Sequence, residues 1–283
     1  MILVVTLNPA LDVTHHVPGV DWDGVNRPAV TRAQAGGKGL NVARTLRAVG
    51  AQVRVTGLAG GVTGEQVVSA LGELGIPASF TRIDGQTRRT FAVVDTVRGG
   101  TALFNEPGPA VGPGEYAEFC VAYEKALAGC NAVVLSGSLP RGLPPDTYAE
   151  LGAIAAAAGV PAVLDAHGEA LRRGAAARPA IVKPNLAELE TLAGRSLSTA
   201  RGVDKRAVAR AARELMAAGP LAVVVTLGAD GLWAVTGDGS WQAVPPADVG
   251  GNPTGAGDAV AAGLVHGLVL RRPWEERLRH AAA

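Results

Sequence analysis

The stretch NPTGAGDAVAAGLVHG at residues 252–267 sets two glycines and a carboxylate directly before a run of small apolar residues. Gly255 and Gly257 admit backbone angles that a side chain forbids, and the run from Ala259 to Leu270 reads as a buried helix, so Asp258 falls at a helix entrance. Helix entrances carry N–H groups without acceptors and a positive potential. Such a turn can hold an anion on its amides and present one carboxylate, a proton acceptor, at the same spot.

Four other places offer polar groups where a backbone turn meets an element. In AGGKGLNVARTL (35–46) glycines again open a helix, and the three-residue spacing of Lys38 and Asn41 puts a cation and an amide on one side of its first turn. They could bind a hydroxyl or a phosphate, or the segment is a plain helix start with a surface lysine. Asp12, in NPALD, opens a hairpin and is open to reading as a turn residue or a sugar ligand. VKPNLAELE (182–190) ends a strand and opens a helix, gathering Lys183, Asn185 and Glu188 at one strand terminus. Asn185 and Glu188 fit a capping box, and they equally fit a place beside a hydrated Mg2+ on nucleotide phosphates. VVTLGADGLWAV (224–235) is a strand, a turn from Gly228 to Gly231 and a second strand, either a bare hairpin or one whose Thr226 and Gly228 meet phosphate.

The elements that must position these groups alternate. Aliphatic runs at 2–7, 52–58, 132–137, 161–166, 180–185 and 221–228 are separated by helical patterns near 38–49, 64–75, 114–128, 146–159, 186–193 and 204–218. This predicts βαβ units around a mostly parallel sheet covered on both faces, an α/β/α three-layer fold with ligands beyond the strand C-termini. Residues 11–33 and 88–105 break the rhythm with period-2 patterns around glycine turns. They predict two hairpins joined as a small β-sheet lid inserted in a single domain spanning 1–283.

Composition removes several classes. At 283 residues, 48% apolar and 18% charged, the chain can build a large core, and a net charge of +1 gives no global field for nucleic acid or an acidic membrane surface. Cys120 and Cys130 are too few for a disulfide framework, no basic leader precedes the first apolar run, and no segment offers ~20 uninterrupted apolar residues. A cytoplasmic protein is expected. The P-loop pattern is missing, and GAGDAV has Val260 where a dinucleotide fingerprint needs its third glycine, so any phosphate is held by another design.

Taken in order, NPALD, GGKGLN (36–41), TRRT (87–90), NEPGP (105–109), SGSLP (136–140), KPNLAELE (183–190), TLGADG (226–231) and PTGAGDA (253–259) resemble the ribokinase-like sugar kinases, and within them the phosphofructokinase B branch. NPALD with NEPGP is most similar to its 1-phosphofructokinase and tagatose-6-phosphate kinase subgroup. The resemblance implies ATP-dependent transfer of a phosphoryl group to a hydroxyl of a ketohexose phosphate, with fructose 1-phosphate converted to fructose 1,6-bisphosphate as the first expectation. It implies Asp258 as catalytic base and the amides of Gly255, Ala256 and Gly257 as anion hole. Asp12, Gly37, Lys38, Asn41 and Ser138 would hold the sugar. Lys183 and Asn185 with Thr226, Gly228 and Gly231 would serve ATP, Glu188 and Asn185 would serve Mg2+ through water, and the lid would make a homodimer interface.

The physics agrees with that division, since amides at a helix mouth neutralise a migrating phosphoryl group and an adjacent Asp, expected to stay ionised near neutral pH, need only accept a hydroxyl proton. Arg27, Arg88 and Lys38 supply cations suited to a phosphomonoester. Only one of Arg88 and Arg89 can face the pocket from a strand, and by similarity it is Arg88. The extra arginine of TRRT departs from the subgroup pattern. The chain ends within a helical pattern, RRPWEERLRHAAA, where the family usually continues, so a shortened C-terminus is expected and no adenine-pocket residue is assigned. Tagatose 6-phosphate, fructose 6-phosphate, an unphosphorylated sugar and a non-catalytic sugar- or nucleotide-binding regulator are the alternatives.

Overall fold

A computed structural model of the chain describes residues 1–200, 202–245 and 255–282. Strand β1 (Ile2–Thr6) runs into a hairpin of β2 (Ala10–Val17) and β3 (Val30–Gly36), followed by α1 (Lys38–Ala48), β4 (Val53–Ala59), α2 (Gly61–Glu73) and β5 (Ala78–Arg82). A second hairpin, β6 (Arg88–Asp95) and β7 (Thr101–Asn105), precedes α3 (Pro113–Leu127), β8 (Ala132–Ser136), α4 (Thr147–Ala157), β9 (Ala162–Asp165), α5 (Gly168–Ala175), β10 (Ile181–Val182) and α6 (Leu186–Ala193). Then come a short ribbon of β11 (Ser198–Thr199) and β12 (Gly202–Val203), α7 (Lys205–Ala217), β13 (Ala222–Thr226), β14 (Leu232–Thr236), β15 (Ser240–Ala243), α8 (Ala256–Val269) and α9 (Trp274–Ala282).

The large sheet has the order β15-β14-β13-β10-β9-β8-β1-β4-β5. It is parallel from β13 to β5, and the meander of β13, β14 and β15 closes one edge antiparallel. The aliphatic runs are explained by burial on both faces. Leu3 and Val5 of β1 join Leu135, Phe119, Tyr123 and Tyr148 on the side of α3 and α4, while Ile2 and Val4 join Val134, Leu40, Val42 and Leu264 on the side of α1 and α8. Strict alternation thus feeds two separate cores from one strand.

Both predicted hairpins exist and combine into a second sheet of order β3-β2-β6-β7. Its two central strands pair in parallel, Ala10 with Arg88 through Val17 with Asp95. Because β2 leaves the C-terminal end of β1 and β6 follows the C-terminal end of β5, the small sheet is tethered at the edge where parallel strands end. Short connections at both tethers fix its place.

Several elements lie outside the predicted alternation, among them the ribbon of β11 and β12, the edge strand β15, α5 and β5. The eight-residue α5 contains Gly168 and Gly174, too short and too interrupted to show a period, and β5 is an edge strand with only partial burial. The last long helix begins at Ala256, one turn before its apolar pattern, because Gly255 takes a left-handed conformation (φ 90°) and caps it there. Asp258 is therefore in the first turn and 7% exposed. Residues 252–254, the beginning of the NPTGAGDA motif, lie outside the described residues. Among the described residues no helix is long and apolar enough to cross a membrane.

Candidate active site

The C-terminal edge of the parallel strands gathers charged groups from five elements. Asp258, in the first turn of α8, accepts a hydrogen bond from Asn41 Nδ2 at 2.7 Å, and Asn41 is in the first turn of α1. Glycine at 37, with φ 93°, turns the chain from β3 into α1 and brings the two helix entrances together. Asn41 is fixed in turn by Arg44, whose Nη2 donates to its Oδ1 at 2.5 Å. The two helices, far apart in sequence, thus share one polar contact at their positive ends.

Next to it lies a buried charge cluster. Asp165, at the end of β9 and fully buried, forms an ion pair with the Lys183 ammonium at 3.1 Å and accepts a hydrogen bond from the Lys38 ammonium at 3.4 Å. Lys183 follows β10 and is 3% exposed. A Cβ on Gly257 would stand 3.5 Å from its Nζ, so the ammonium faces the first turn of α8. Glu188 is 3.8 Å from Lys38, and its other oxygen accepts from the Asn185 amide at 2.8 Å while Asn185 Oδ1 accepts from the Glu188 amide. The capping box is therefore real, and the same two side chains also border the lysine cluster. Thr226, at the end of β13, bridges in parallel to Asn185. Gly228 lies in the short 3-10 turn that follows, and Gly231 closes that turn.

Burial controls the electrostatics. The Asp258 carboxyl is raised above the usual carboxylate range chiefly by desolvation, opposed by the Asn41 hydrogen bond, raised further by Asp165 and opposed by Lys38 and Lys183. The expectation that positive amides alone set its ionisation misses this burial. For Lys38 desolvation opposes the charge, yet Asp165, Glu188 and Asp258 outweigh it and hold the ammonium above its ordinary pKa.

The small sheet carries the remaining candidate side chains. Asp12 on β2 accepts from Thr90 Oγ1 on β6, its register partner, and a Cβ on Gly36 would fall 1.9 Å from Asp12 Oδ2, so only glycine lets β3 pass this carboxylate. Arg88 donates from Nε and Nη2 to the Asn8 carbonyl at 3.3 and 3.2 Å, and from Nη1 to the Glu106 carbonyl at 3.2 Å. Burial lowers its pKa, while Asp12 and Glu106 pull the other way. Arg89 is exposed, as a strand-borne neighbour of Arg88 must be. Ser138, after β8, takes a hydrogen bond from Asn8 Nδ2 at 3.1 Å. Arg27 is exposed in the β2–β3 loop and the structure does not bring it to these groups.

Sequence reasoning missed Asp165 and Asn8. Asp165 is a single acid closing PAVLDA, and its position at a parallel strand terminus was the available signal. Asn8 is 6% exposed and ties Ser138 to the Pro107 carbonyl, a bond visible only in three dimensions. Among the described residues no three His, Cys, Asp or Glu side chains form a ready metal cage. One or two carboxylates beside lysines suit a divalent ion that keeps its waters and arrives on phosphates.

Residues 6–283 match the family model described as pfkB family carbohydrate kinase. The chain is 41% identical over 283 residues to 1-phosphofructokinase of Rhodobacter capsulatus, covering all of this chain and 88% of the relative. Phosphofructokinase-2 from Escherichia coli superposes in its tetrameric inhibited form with a TM-score of 0.92 at 30% identity, covering 99% of this chain and 91% of that one. The same enzyme in complex with fructose-6-phosphate gives a TM-score of 0.89 at 30% identity with the same coverage. With a helix-mouth carboxylate, a lysine cluster and a small covering sheet arranged on this fold, the chain belongs to the pfkB family of carbohydrate kinases, a family whose activity implies the use of ATP.

Proposed function

We propose that this carbohydrate kinase is a 1-phosphofructokinase, transferring the γ-phosphoryl group of ATP to the free primary hydroxyl of fructose 1-phosphate. The observation that carries the phosphoryl transfer is the meeting, at the first turn of α8, of a buried carboxylate held by Asn41 with the buried Lys183 ammonium facing the same turn, and the identity to 1-phosphofructokinase supports the choice of sugar. Asp258 accepts the hydroxyl proton as the sugar oxygen bonds to Pγ and the bond from Pγ to the bridging oxygen breaks, leaving ADP and fructose 1,6-bisphosphate. Its raised pKa makes it a stronger base than an exposed Asp. The amides of Gly255, Ala256 and Gly257 with Lys183 stabilise charge on the migrating group.

Asp12, Gly37, Lys38, Asn41 and Ser138 hold the sugar, and Arg88 meets its phosphate. Thr226 and Gly228 contact the nucleotide phosphates. The Asn185 and Glu188 pair, beside Lys38, fits a hydrated Mg2+ brought in with the nucleotide. When bound, Mg2+ would supply positive charge to the nucleotide phosphates. Exposed apolar groups on the lid, Trp22 (71%), Val25 (79%), Leu103 (60%) and Phe104 (52%), support a homodimer that covers them.

The test is a substrate panel with ATP and Mg2+. Fructose 1-phosphate is expected to give the highest kcat/KM, ahead of tagatose 6-phosphate, fructose 6-phosphate and free fructose. Turnover confined to unphosphorylated sugars, or none with any sugar, would contradict the reading.

A further inference from the structure

A cleft of about 520 Å3 opens between lid and body, lined by Gly85, Gln86, Arg88, Glu106, Gly108 and Arg141 among others. Arg88 begins β6, whereas Arg141 belongs to the loop after β8, so two guanidiniums reach one cleft from separate elements. The backbone of Arg141 is fixed there. Its carbonyl accepts from the Val111 amide at 2.8 Å, and Ala110 and Arg141 form a parallel bridge. Gly142 (φ 89°) makes the approach possible, since a Cβ on it would stand 2.4 Å from the Val111 carbonyl oxygen. The side chain is aimed by Nε, which donates to the Gly108 carbonyl at 3.2 Å.

That anchoring engages one of five N–H donors and leaves both terminal NH2 groups of Arg141 without an acceptor among the described residues. Arg88 uses three donors on the Asn8 and Glu106 carbonyls and keeps two. The third charge on the cleft is Glu106, one of whose oxygens accepts from the Arg89 amide at 2.7 Å. Two held cations with spare planar donors, against one acid, match a phosphomonoester of charge about −2. Arg88 is also close enough to Asp12 to feel its charge, which joins this cleft to the sugar side of the site.

We propose that Arg141 is a second phosphate-binding arginine, acting with Arg88 to select a phosphorylated sugar. The proposal rests on the sugar-phosphate kinase reading and specifies its phosphate subsite. Its test compares the full chain with Arg141→Ala, Arg141→Gln and Arg141→Lys by steady-state kinetics on fructose 1-phosphate, free fructose and ATP. In the Ala and Gln variants kcat/KM for fructose 1-phosphate is expected to fall about tenfold or more, mostly through KM, with Lys restoring part of it. The KM for ATP and the weak turnover of free fructose should not move, which also reports an intact fold. An unchanged KM for fructose 1-phosphate in the Ala and Gln variants, or an equal loss with free fructose, would overturn the proposal. Wild-type enzyme that turned over no sugar phosphate would overturn the kinase reading, and this subsite with it, without reference to any variant.

Discussion

Replacing Asp258 by Asn is expected to lower kcat about a thousandfold while leaving the fold and nucleotide affinity intact. The substitution keeps the shape and an oxygen able to accept from Asn41, so the contact between α1 and α8 survives. What is lost is the capacity to take a proton. The sign of the stability effect follows from the raised carboxyl pKa. In the window between the ordinary carboxylate pKa and the native value, the folded chain holds a proton that the unfolded chain has released. Stability therefore falls as pH rises through that window and stays lower above it. At neutral pH the ionised Asp258 is a cost to folding, and Asp258→Asn should show a Tm equal to or above that of the parent. The acid limb of kcat/KM in the parent should also lie above the usual Asp range. A variant with nearly parental kcat would remove Asp258 from the role of base.

Asp165→Asn is expected to damage stability and activity together. The Asp165 carboxylate is fully buried and faces Lys183, itself 3% exposed, at 3.1 Å and Lys38 at 3.4 Å. Removing its charge leaves the buried Lys183 ammonium without its ion-pair partner at 3.1 Å, with only the Asp258 carboxylate acting on it from α8, which costs about 3 kcal/mol of unfolding free energy. It also releases Lys38, and frees Lys183 from the geometry in which its ammonium faces the first turn of α8. Denaturant unfolding with parallel kinetics measures both effects. The double variant Asp165→Asn, Lys183→Met should regain much of the stability, because the orphaned ammonium is gone, and none of the activity. Unaltered stability in the single variant would show that the pair is not coupled as described.

The body of the fold was legible because a parallel sheet covered on both faces demands uninterrupted aliphatic strands, and runs such as Val133–Leu135 and Val223–Val225 meet that demand. The two hairpins were legible for a different reason, a period-2 pattern around glycine turns. Short elements such as α5 escaped, having too few residues to establish a period. Within the site, Lys38, Asn41, Asn185, Glu188 and Asp258 stood out because each occupies a helix entrance, where local sequence specifies local geometry. Asp165 and Asn8 did not, because their partners are distant in the chain: Asp165 meets Lys38 across 127 residues, and Asn8 meets Ser138 across 130. Arg88 and Arg89 show how far a pattern reaches. Alternation says that one of them must turn outward, and the outward one is Arg89. Nothing local distinguished Arg27, left exposed in its loop, from Arg141, whose neighbours Ala110 and Val111 come from another segment.

The most direct measurement is a crystal structure of the full chain with Mg2+, fructose 1-phosphate and a non-hydrolysable ATP analogue. The account predicts the terminal phosphate against the amides of residues 255–257 and the Lys183 ammonium, with the sugar's free primary hydroxyl beside Asp258. A terminal phosphate bound elsewhere, or a sugar whose hydroxyl lies out of reach of that carboxylate, would contradict it.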